Sequence, residues 1–273
     1  MRNCLRADFA RLWKSRLFWL FILFCFGTGV LDAPDKSFAL DSDLLSFAIA
    51  VLLLGTVFAA FFIGTDYSDG TIRNKLIIGN SRAAVYFSNL IVCCAAAELM
   101  ILSFLLPTVL IGSLVGRGFI YTAEEILFRL LIENIALLAA LALIVLIAML
   151  MKSRSSAIVA GTFFSLALIL CAMFLGGRLA EPEYFQGSVY IDEDGNLQYD
   201  TEAKEANPTY VRGTMRKVLE VAYDVLPGGQ INQMTAREEI DPAHGGLLLL
   251  YSAGIFAASV LIGVPVFQRR DLK

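Results

Sequence analysis

Charged residues are scarce in this sequence of 273 residues, where Asp, Glu, Lys and Arg together make up 17%, against about 25% in soluble domains. Histidine occurs once, as His244, which excludes a multi-histidine metal site. The 22 basic and 25 acidic residues give a net charge of −3, which excludes a generally basic nucleic-acid binder. The five cysteines show no zinc-type spacing, and none lies in the long polar segment 176–246, so we expect no disulfide there.

Apolar residues make up 58% of the chain, more than a soluble domain of this size can bury in one core. Six segments approach the roughly 20 apolar residues that a membrane-spanning helix needs: 17–31, 44–63, 85–115, 126–151, 155–175 and 247–267. Pro107 and Gly112 predict a kink or a break near the outer end of the third segment. The first segment lacks a good small-residue cleavage site, so we interpret it as a span rather than a signal peptide. The sequence predicts an all-α polytopic membrane protein with six transmembrane helices.

Lysine and arginine are distributed unevenly over the short loops. With the N-terminus in the cytoplasm, thirteen basic residues lie inside, and outside there are only Lys36, Arg117 and Arg129. Short cytoplasmic loops carry the excess of Lys and Arg in membrane proteins. The asymmetry therefore predicts that both termini are cytoplasmic.

The long polar segment 176–246 then lies outside the cell. It carries 13 acidic and 6 basic residues, a net charge of −7, and dense turn signals. Segments 189–191 and 197–199 flank a polar turn at 192–196 and predict a β-hairpin. Residues 214–225 predict a short helix with one apolar face formed by Met215, Val218, Leu219 and Ala222. We expect a small mixed α/β extracellular insert before the last span. The alternative is a disordered acidic loop, but this segment contains more aromatic and β-branched residues than disordered segments have.

Residues 1–16 combine an apolar stripe with basic flanks. The stripe consists of residues at helical steps of three to four: Leu5, Phe9, Leu12, Trp13 and Leu17. The basic residues lie away from it: Arg2, Arg6, Arg11 and Lys14. This pattern predicts an amphipathic helix lying in the interface against membrane lipids. The alternative, an ordinary positively charged flank, needs the charges but not the stripe.

The inside loop 64–84 carries signals for a short helix. Asp69-Gly70-Thr71 marks its start and Gly79 its end, and the apolar residues in between are Ile72, Leu76 and Ile77. A short helix with an apolar edge and cationic flanks, parallel to the membrane, has a shape that docks into a groove on a cytosolic partner. The alternative is a simple connector.

This loop resembles the signature of type-2 permeases of ATP-binding-cassette (ABC) exporters: an acidic residue, an aromatic residue, Gly-Thr-[Ile/Leu]-Arg, then Gly-x-Ser-Arg. The matching residues are Asp66, Tyr67, Gly70, Thr71, Ile72, Arg73, Gly79, Ser81 and Arg82. The family more often has glutamate where this chain has Asp66. The chain end, 267–273, is similar to the family's closing pattern of an aromatic residue, basic residues and Asp-Leu. Residues 226–230, Leu-Pro-Gly-Gly-Gln, resemble the family's Pro-x-Gly-Gln.

The resemblance covers the whole chain and implies a transport subunit in a bacterial plasma membrane, not an enzyme. Two permease chains, identical or paralogous, would pair. Each would contact a separate cytosolic ABC ATPase through the interfacial helix and through the loop, where Leu76 joins the signature residues. The chain contains no Gly-x4-Gly-Lys-[Ser/Thr] phosphate loop, so we expect ATP and Mg on the ATPase chain. The implied division is an interfacial helix (1–16), spans one to five (17–175), the insert (176–246), span six (247–267) and a cytoplasmic tail (268–273).

Polar and small residues within the spans carry further expectations. Charge at mid-bilayer costs about 2.5–3.5 kcal/mol on insertion scales, so Glu98, Glu133 and Asn134 should face protein or water. In one interpretation Glu98 lines the translocation path or binds a cationic substrate. In the other it is protonated, or it pairs with a hydroxyl of a neighbouring helix and serves packing. Small residues form packing faces on span two (Ala59, Ala60, Gly64) and on span five (Ala157, Gly161, Ser165). In the family, span five meets the second chain, so we expect Gly161 to serve packing between chains or the path.

Several substrates fit this interpretation. The acidic outside segment suits an antimicrobial peptide or another amphipathic molecule that is exported for self-protection. Export of drugs, ions or lipids is the alternative within the family. A non-transporting membrane sensor or scaffold is the alternative from a different class. The spans contain no intramembrane-protease motif such as His-Glu-x-x-His or Gly-x-Gly-Asp.

Overall fold

A computed structural model describes residues 1–37, 39–151, 153–191, 197–235 and 241–270, and for 186–191 and 197–205 it describes the backbone. Three features used in the sequence predictions lie outside the described residues: the hairpin turn 192–196, the end of the tail pattern at 271–273, and Lys152 of the basic loops. The elements in chain order are α1 (Arg2–Lys14), α2 (Arg16–Asp32), α3 (Leu40–Ser68), α4 (Thr71–Ile77), α5 (Arg82–Leu114), α6 (Ala123–Leu150), α7 (Arg154–Ala180), β1 (Tyr184–Ile191), β2 (Leu197–Ala206), α8 (Thr214–Val225), α9 (Pro227–Met234) and α10 (Pro242–Arg269).

Five of these helices are long and apolar enough to cross a membrane: α3, α5, α6, α7 and α10. Each contains most of one of the predicted spans two to six, so the protein is a helical polytopic membrane protein. The first predicted span, 17–31, lies in α2, which meets α1 at an angle of 61°. The two helices count as a sixth candidate span when they are taken together.

Pro107 lies inside α5, which continues to Leu114; of the two predicted alternatives, a kink or a break, the break is wrong. Next to the proline, the Thr108 hydroxyl donates to the Phe104 carbonyl of the same helix at 2.8 Å, a side-chain contact of the kind that accompanies proline in spanning helices. The neighbouring helix α2 also approaches closely here. A Cβ atom on Gly29 would lie 2.6 Å from the Phe104 oxygen and 2.9 Å from the Pro107 ring, so only glycine permits this approach.

Helix α3 lies at the centre of the bundle and packs against α5, α6 and α7. Its small residues meet the small residues of α7 within the same chain. A Cβ atom on Gly161 would lie 3.4 Å from the Cβ of Ala60 and 3.5 Å from Thr56, and Ala157 and Ser165 on the same face are buried. The face that we expected to pack against a second chain is therefore filled by the chain's own α3.

The polar segment contains both predicted elements. Strands β1 and β2 pair antiparallel, with Ile191 opposite Leu197 and Val189 opposite Tyr199, and α8 spans the predicted helix. The apolar face of α8 is exposed at Met215 and Val218.

Helix α9 was not predicted, and it inserts into the bundle. It packs against α6 and α7, and its buried residues include Gly228, Gly229 and Gln230. A Cβ atom on Gly228 would lie 3.0 Å from the Leu168 carbonyl oxygen. The Gln230 amide donates to the Asp224 carbonyl at 2.6 Å and accepts from Ser252 at 2.6 Å. The Pro-Gly-Gly-Gln motif therefore returns the chain from the polar segment into the bundle.

Candidate functional site

The loop between α3 and α5 forms the short helix that its sequence predicts. Helix α4 begins at Thr71 after Gly70, whose φ is +68°, and its end is followed by Gly79 with φ +97°. Both angles lie in the left-handed region, which favours glycine. Ser81 then caps α5 by accepting a hydrogen bond from the Ala84 amide at 3.1 Å. The predicted start and end of the helix are confirmed.

Buried charges join this loop to the N-terminal helix. The Lys75 ammonium lies 2.7 Å from Asp8 Oδ1 and 2.7 Å from Asp66 Oδ2. The Arg11 guanidinium pairs with Asp66 and lies 3.5 Å above the centre of the Phe62 ring. Ser88 on α5 donates to Asp8 Oδ2 at 2.6 Å. We call this set the charge cluster: Asp8, Arg11, Asp66, Lys75 and Ser88.

The charge cluster balances two buried carboxylates against two cations, of which Arg11 is partly exposed. Asp8 and Asp66 are buried, and Lys75 is nearly so. Burial lowers the pKa of Lys75 from its ordinary value, and the Asp8 carboxylate opposes that shift. Because removing one partner leaves an uncompensated buried charge, each member holds the others in place. The cluster thereby fixes α1, the end of α3, α4 and the start of α5 as one unit.

A second set of contacts joins the loop signature to the end of α10. The Tyr67 hydroxyl donates to the Met149 carbonyl at 2.6 Å, and the Arg270 guanidinium reaches the same carbonyl and the Tyr67 hydroxyl. Arg82 donates to the Phe267 carbonyl at 3.2 Å and to that of Arg270. We call Tyr67, Arg82 and Arg270 the tail clamp. It brings the loop pattern and the start of the chain-end pattern together.

The apolar edge of α4 differs from the prediction. Ile72, which we grouped with Leu76 and Ile77, is 2% exposed and belongs to the protein core. Ile77 and the following Ile78 are 82% and 81% exposed. A helix of two turns has room for one inward face, and Ile72, Lys75 and Leu76 occupy it. The outward surface, which we call the outer edge, consists of Arg73, Asn74, Ile77 and Ile78.

The N-terminal helix packs on protein more than its apolar stripe predicts. Leu12 is fully buried, and Leu5 and Phe9 pack partly against the core. Trp13 is half exposed, and its carbonyl accepts from the Trp19 indole at 2.8 Å. Arg11 points inward to Asp66, which corrects its assignment to the basic side.

Asp8 is the residue that the sequence interpretation missed. It is the one acidic residue in 1–16, and it lies four residues from both Cys4 and Leu12, on the buried face of α1. An acidic residue at an apolar position of a basic helix is the signal that marks it as a partner for a distant cation.

Three of the four remaining candidate residues lie together in the spans, away from the loop. Asn134 donates to Glu98 Oε2 at 2.7 Å, so α5 and α6 are joined by a polar pair, with an amide rather than the expected hydroxyl as partner. Glu98, Glu133 and Asn134 line one cavity. Gly161 lies elsewhere, between α7 and α3.

The chain belongs to the family DUF2705, described as a protein of unknown function, whose model matches residues 11–186. The matched segment contains the loop signature, α4 and the residues of the cavity, and it includes three members of the charge cluster besides Arg11. A comparison with curated proteins finds no match.

Proposed function

We propose that this protein is the membrane permease subunit of an ATP-driven exporter of the type-2 ABC kind. The observation that carries the proposal is the construction of the loop 64–84, in which a short helix is anchored by buried ion pairs on one side and exposes two isoleucines on the other. The resemblance of the loop sequence to the coupling segment of those permeases supports the same assignment.

The anchoring gives α4 the rigidity that a coupling element needs. A helix of seven residues is too short to be stable alone in water, so its conformation depends on Ile72 and Lys75. Through the charge cluster, a displacement of α4 displaces α1 and the ends of α3 and α5 with it. A force applied to the loop by a partner would therefore reach the spanning helices directly.

The outer edge has the composition of a docking surface. Ile77 and Ile78 place two large apolar side chains at a loop, next to the exposed Arg73. An apolar pair rimmed by polar residues is typical of a surface that a partner covers. A groove on a cytosolic ABC ATPase, the chain that would hold ATP and Mg, would take this edge.

The rest of the assembly follows from this proposal. Helix α2 supplies the first of six spans, and α1 lies before it at the inner membrane interface. Both termini lie in the cytoplasm of a bacterial cell, and the segment with β1, β2 and α8 lies outside. The basic residues of the inside loops support this orientation. A second permease chain, identical or paralogous, completes the transporter. The substrate is an antimicrobial peptide or another amphipathic molecule; drugs, ions and lipids are the competing substrate classes.

Co-purification tests the proposal against the competing function, a non-transporting sensor or scaffold. The chain is purified from its native membranes, and associated proteins are identified by mass spectrometry. We expect an ATPase with a Gly-x4-Gly-Lys-[Ser/Thr] phosphate loop, and we expect Ile77→Asp combined with Ile78→Asp to lose it. Leu114→Asp is the matched control, because Leu114 is 86% exposed at the opposite end of α5. Absence of such an ATPase from the unaltered protein would favour the scaffold.

A further inference from the structure

A small cavity lies within the membrane-spanning bundle, between α3, α5 and α6. Its volume is about 110 Å³, roughly three to four times the volume of a water molecule in the liquid. Its polar lining residues are Glu98, Glu133 and Asn134, and its other lining residues are aliphatic and aromatic, apart from the small Ala48. The loop and the outer edge have no part in it.

The carboxylates that line this cavity include oxygen atoms without a hydrogen-bond donor among the described residues. Asn134 satisfies Glu98 Oε2, but within the described part of the chain Glu98 Oε1 and Glu133 Oε1 have no hydrogen-bond partner. Glu133 is only 3% exposed. Arg129, one turn earlier on α6, pairs with Glu125 and donates to the Met234 carbonyl. A buried carboxylate without a compensating cation is costly in a span.

The number and type of polar groups in the cavity decide which cation could compensate the two carboxylates. Ca²⁺ takes six to eight oxygen ligands, and the described residues contain no group of three His, Cys, Asp or Glu side chains that could hold a metal. A primary ammonium group instead presents three N–H donors, which suits a few convergent acceptors. The stacked rings of Phe47 and Phe104, 3.6 Å apart, supply an apolar wall for an attached hydrocarbon.

We propose that this cavity binds the ammonium end of a small amphiphilic primary amine, with the ammonium between Glu98 and Glu133 and the hydrocarbon against Phe104 and Leu102. Leu102 lines the cavity and is 49% exposed on the surface of the bundle, so the ligand enters from the side of the spanning helices. Binding requires only this chain and is independent of any ATPase. Within the proposed exporter, the cavity would favour substrates that carry an amine.

Equilibrium binding of radiolabelled n-butylammonium to the purified protein in lipid nanodiscs tests the inference. We expect saturable binding, and n-butanol, which has the same hydrocarbon but no charge, should not compete. Glu133→Gln should weaken binding by about tenfold or more, since it removes a charge-assisted hydrogen bond. The exposed Glu124→Gln, in the first turn of the same helix, should leave binding unchanged.

A second variant separates loss of the charge from loss of the space. Ala48 is buried and lines the cavity, so Ala48→Met should fill it and abolish binding while both carboxylates remain. Thermal unfolding shows whether each variant folds. If Ala48→Met does not fold, the binding measured for the isosteric Glu133→Gln variant tests the inference. Absence of saturable binding to the unaltered protein, equal binding of the amine to Glu133→Gln, or equally tight binding of n-butanol would each overturn the inference.

Discussion

Two regions among the described residues hold carboxylates away from water and differ in how the charge is compensated. In the charge cluster, Asp8 and Asp66 lie in ion pairs with Lys75 and Arg11. In the cavity between α3, α5 and α6, Glu98 and Glu133 have no ion pair with any described residue, and each leaves one oxygen without a partner. A compensated group of charges connects its helices rigidly, because every member is held by the others. Uncompensated carboxylates are suited to a cation that arrives from outside the chain.

The largest effect should come from breaking the charge cluster. Asp66→Asn leaves Arg11 and Lys75 with one carboxylate between them and should lower the free energy of unfolding by about 3–5 kcal/mol. Asp69→Asn is the matched control, since Asp69 is exposed three residues later and its change should stay within about 0.5 kcal/mol. Denaturation of both variants in the same detergent measures the difference. Equal free energies of unfolding for the two variants would show that the charge cluster does not hold these helices together.

A hydrogen bond of the tail clamp should contribute less than an ion pair of the charge cluster. Tyr67→Phe removes the hydrogen bond to the Met149 carbonyl and the long contact from Arg270, which keeps its own bond to that carbonyl. The free energy of unfolding should fall by about 1 kcal/mol. Tyr251→Phe serves as the control, because the hydroxyl of Tyr251 has no hydrogen-bond partner among the described residues. If the Tyr67 variant lost as much stability as Asp66→Asn, the tail clamp would contribute as much to the free energy of unfolding as the charge cluster.

The smallest effect should come from neutralising Glu98 in the cavity. Glu98→Gln keeps an oxygen that accepts from Asn134 and removes a carboxylate that nothing in the described chain compensates. We expect the free energy of unfolding to change by less than about 0.5 kcal/mol or to rise, measured beside Asp66→Asn under the same conditions. A loss of several kcal/mol would place Glu98 with the structural charges instead.

The helices and the turns of the loop were predictable because their signals are local. Hydropathy marks the five long helices, and Gly70 and Gly79 mark the ends of α4 by their left-handed backbone. Such signals act over a few residues and survive in the folded chain. The predicted break at Pro107 is wrong: α5 continues through the proline, where α2 packs closely against it at Gly29, and a contact between distant parts of the chain leaves no local signal.

The candidate site was less predictable because its contacts join distant parts of the chain. Lys75 lies 67 positions from Asp8, and Arg270 lies 203 positions from Tyr67. A periodic pattern shows that Gly161 belongs to a packing face, but it does not show that α3 covers that face. In α4 the pattern is only two turns long, too short to separate the buried Ile72 from the exposed Ile77.

Site-specific photo-cross-linking at the outer edge tests the central claim, that α4 couples this chain to an ATPase. A benzophenone amino acid replaces Ile77 in one variant and Leu114 in a control. Both side chains are exposed, but Ile77 ends α4, just before α5 begins, whereas Leu114 lies at the far end of α5. After irradiation of native membranes, we predict that the Ile77 variant forms a covalent adduct with a protein carrying the ABC phosphate loop and that the Leu114 variant does not. An Ile77 variant that cross-links only to lipid, or to no ATPase, would contradict the account.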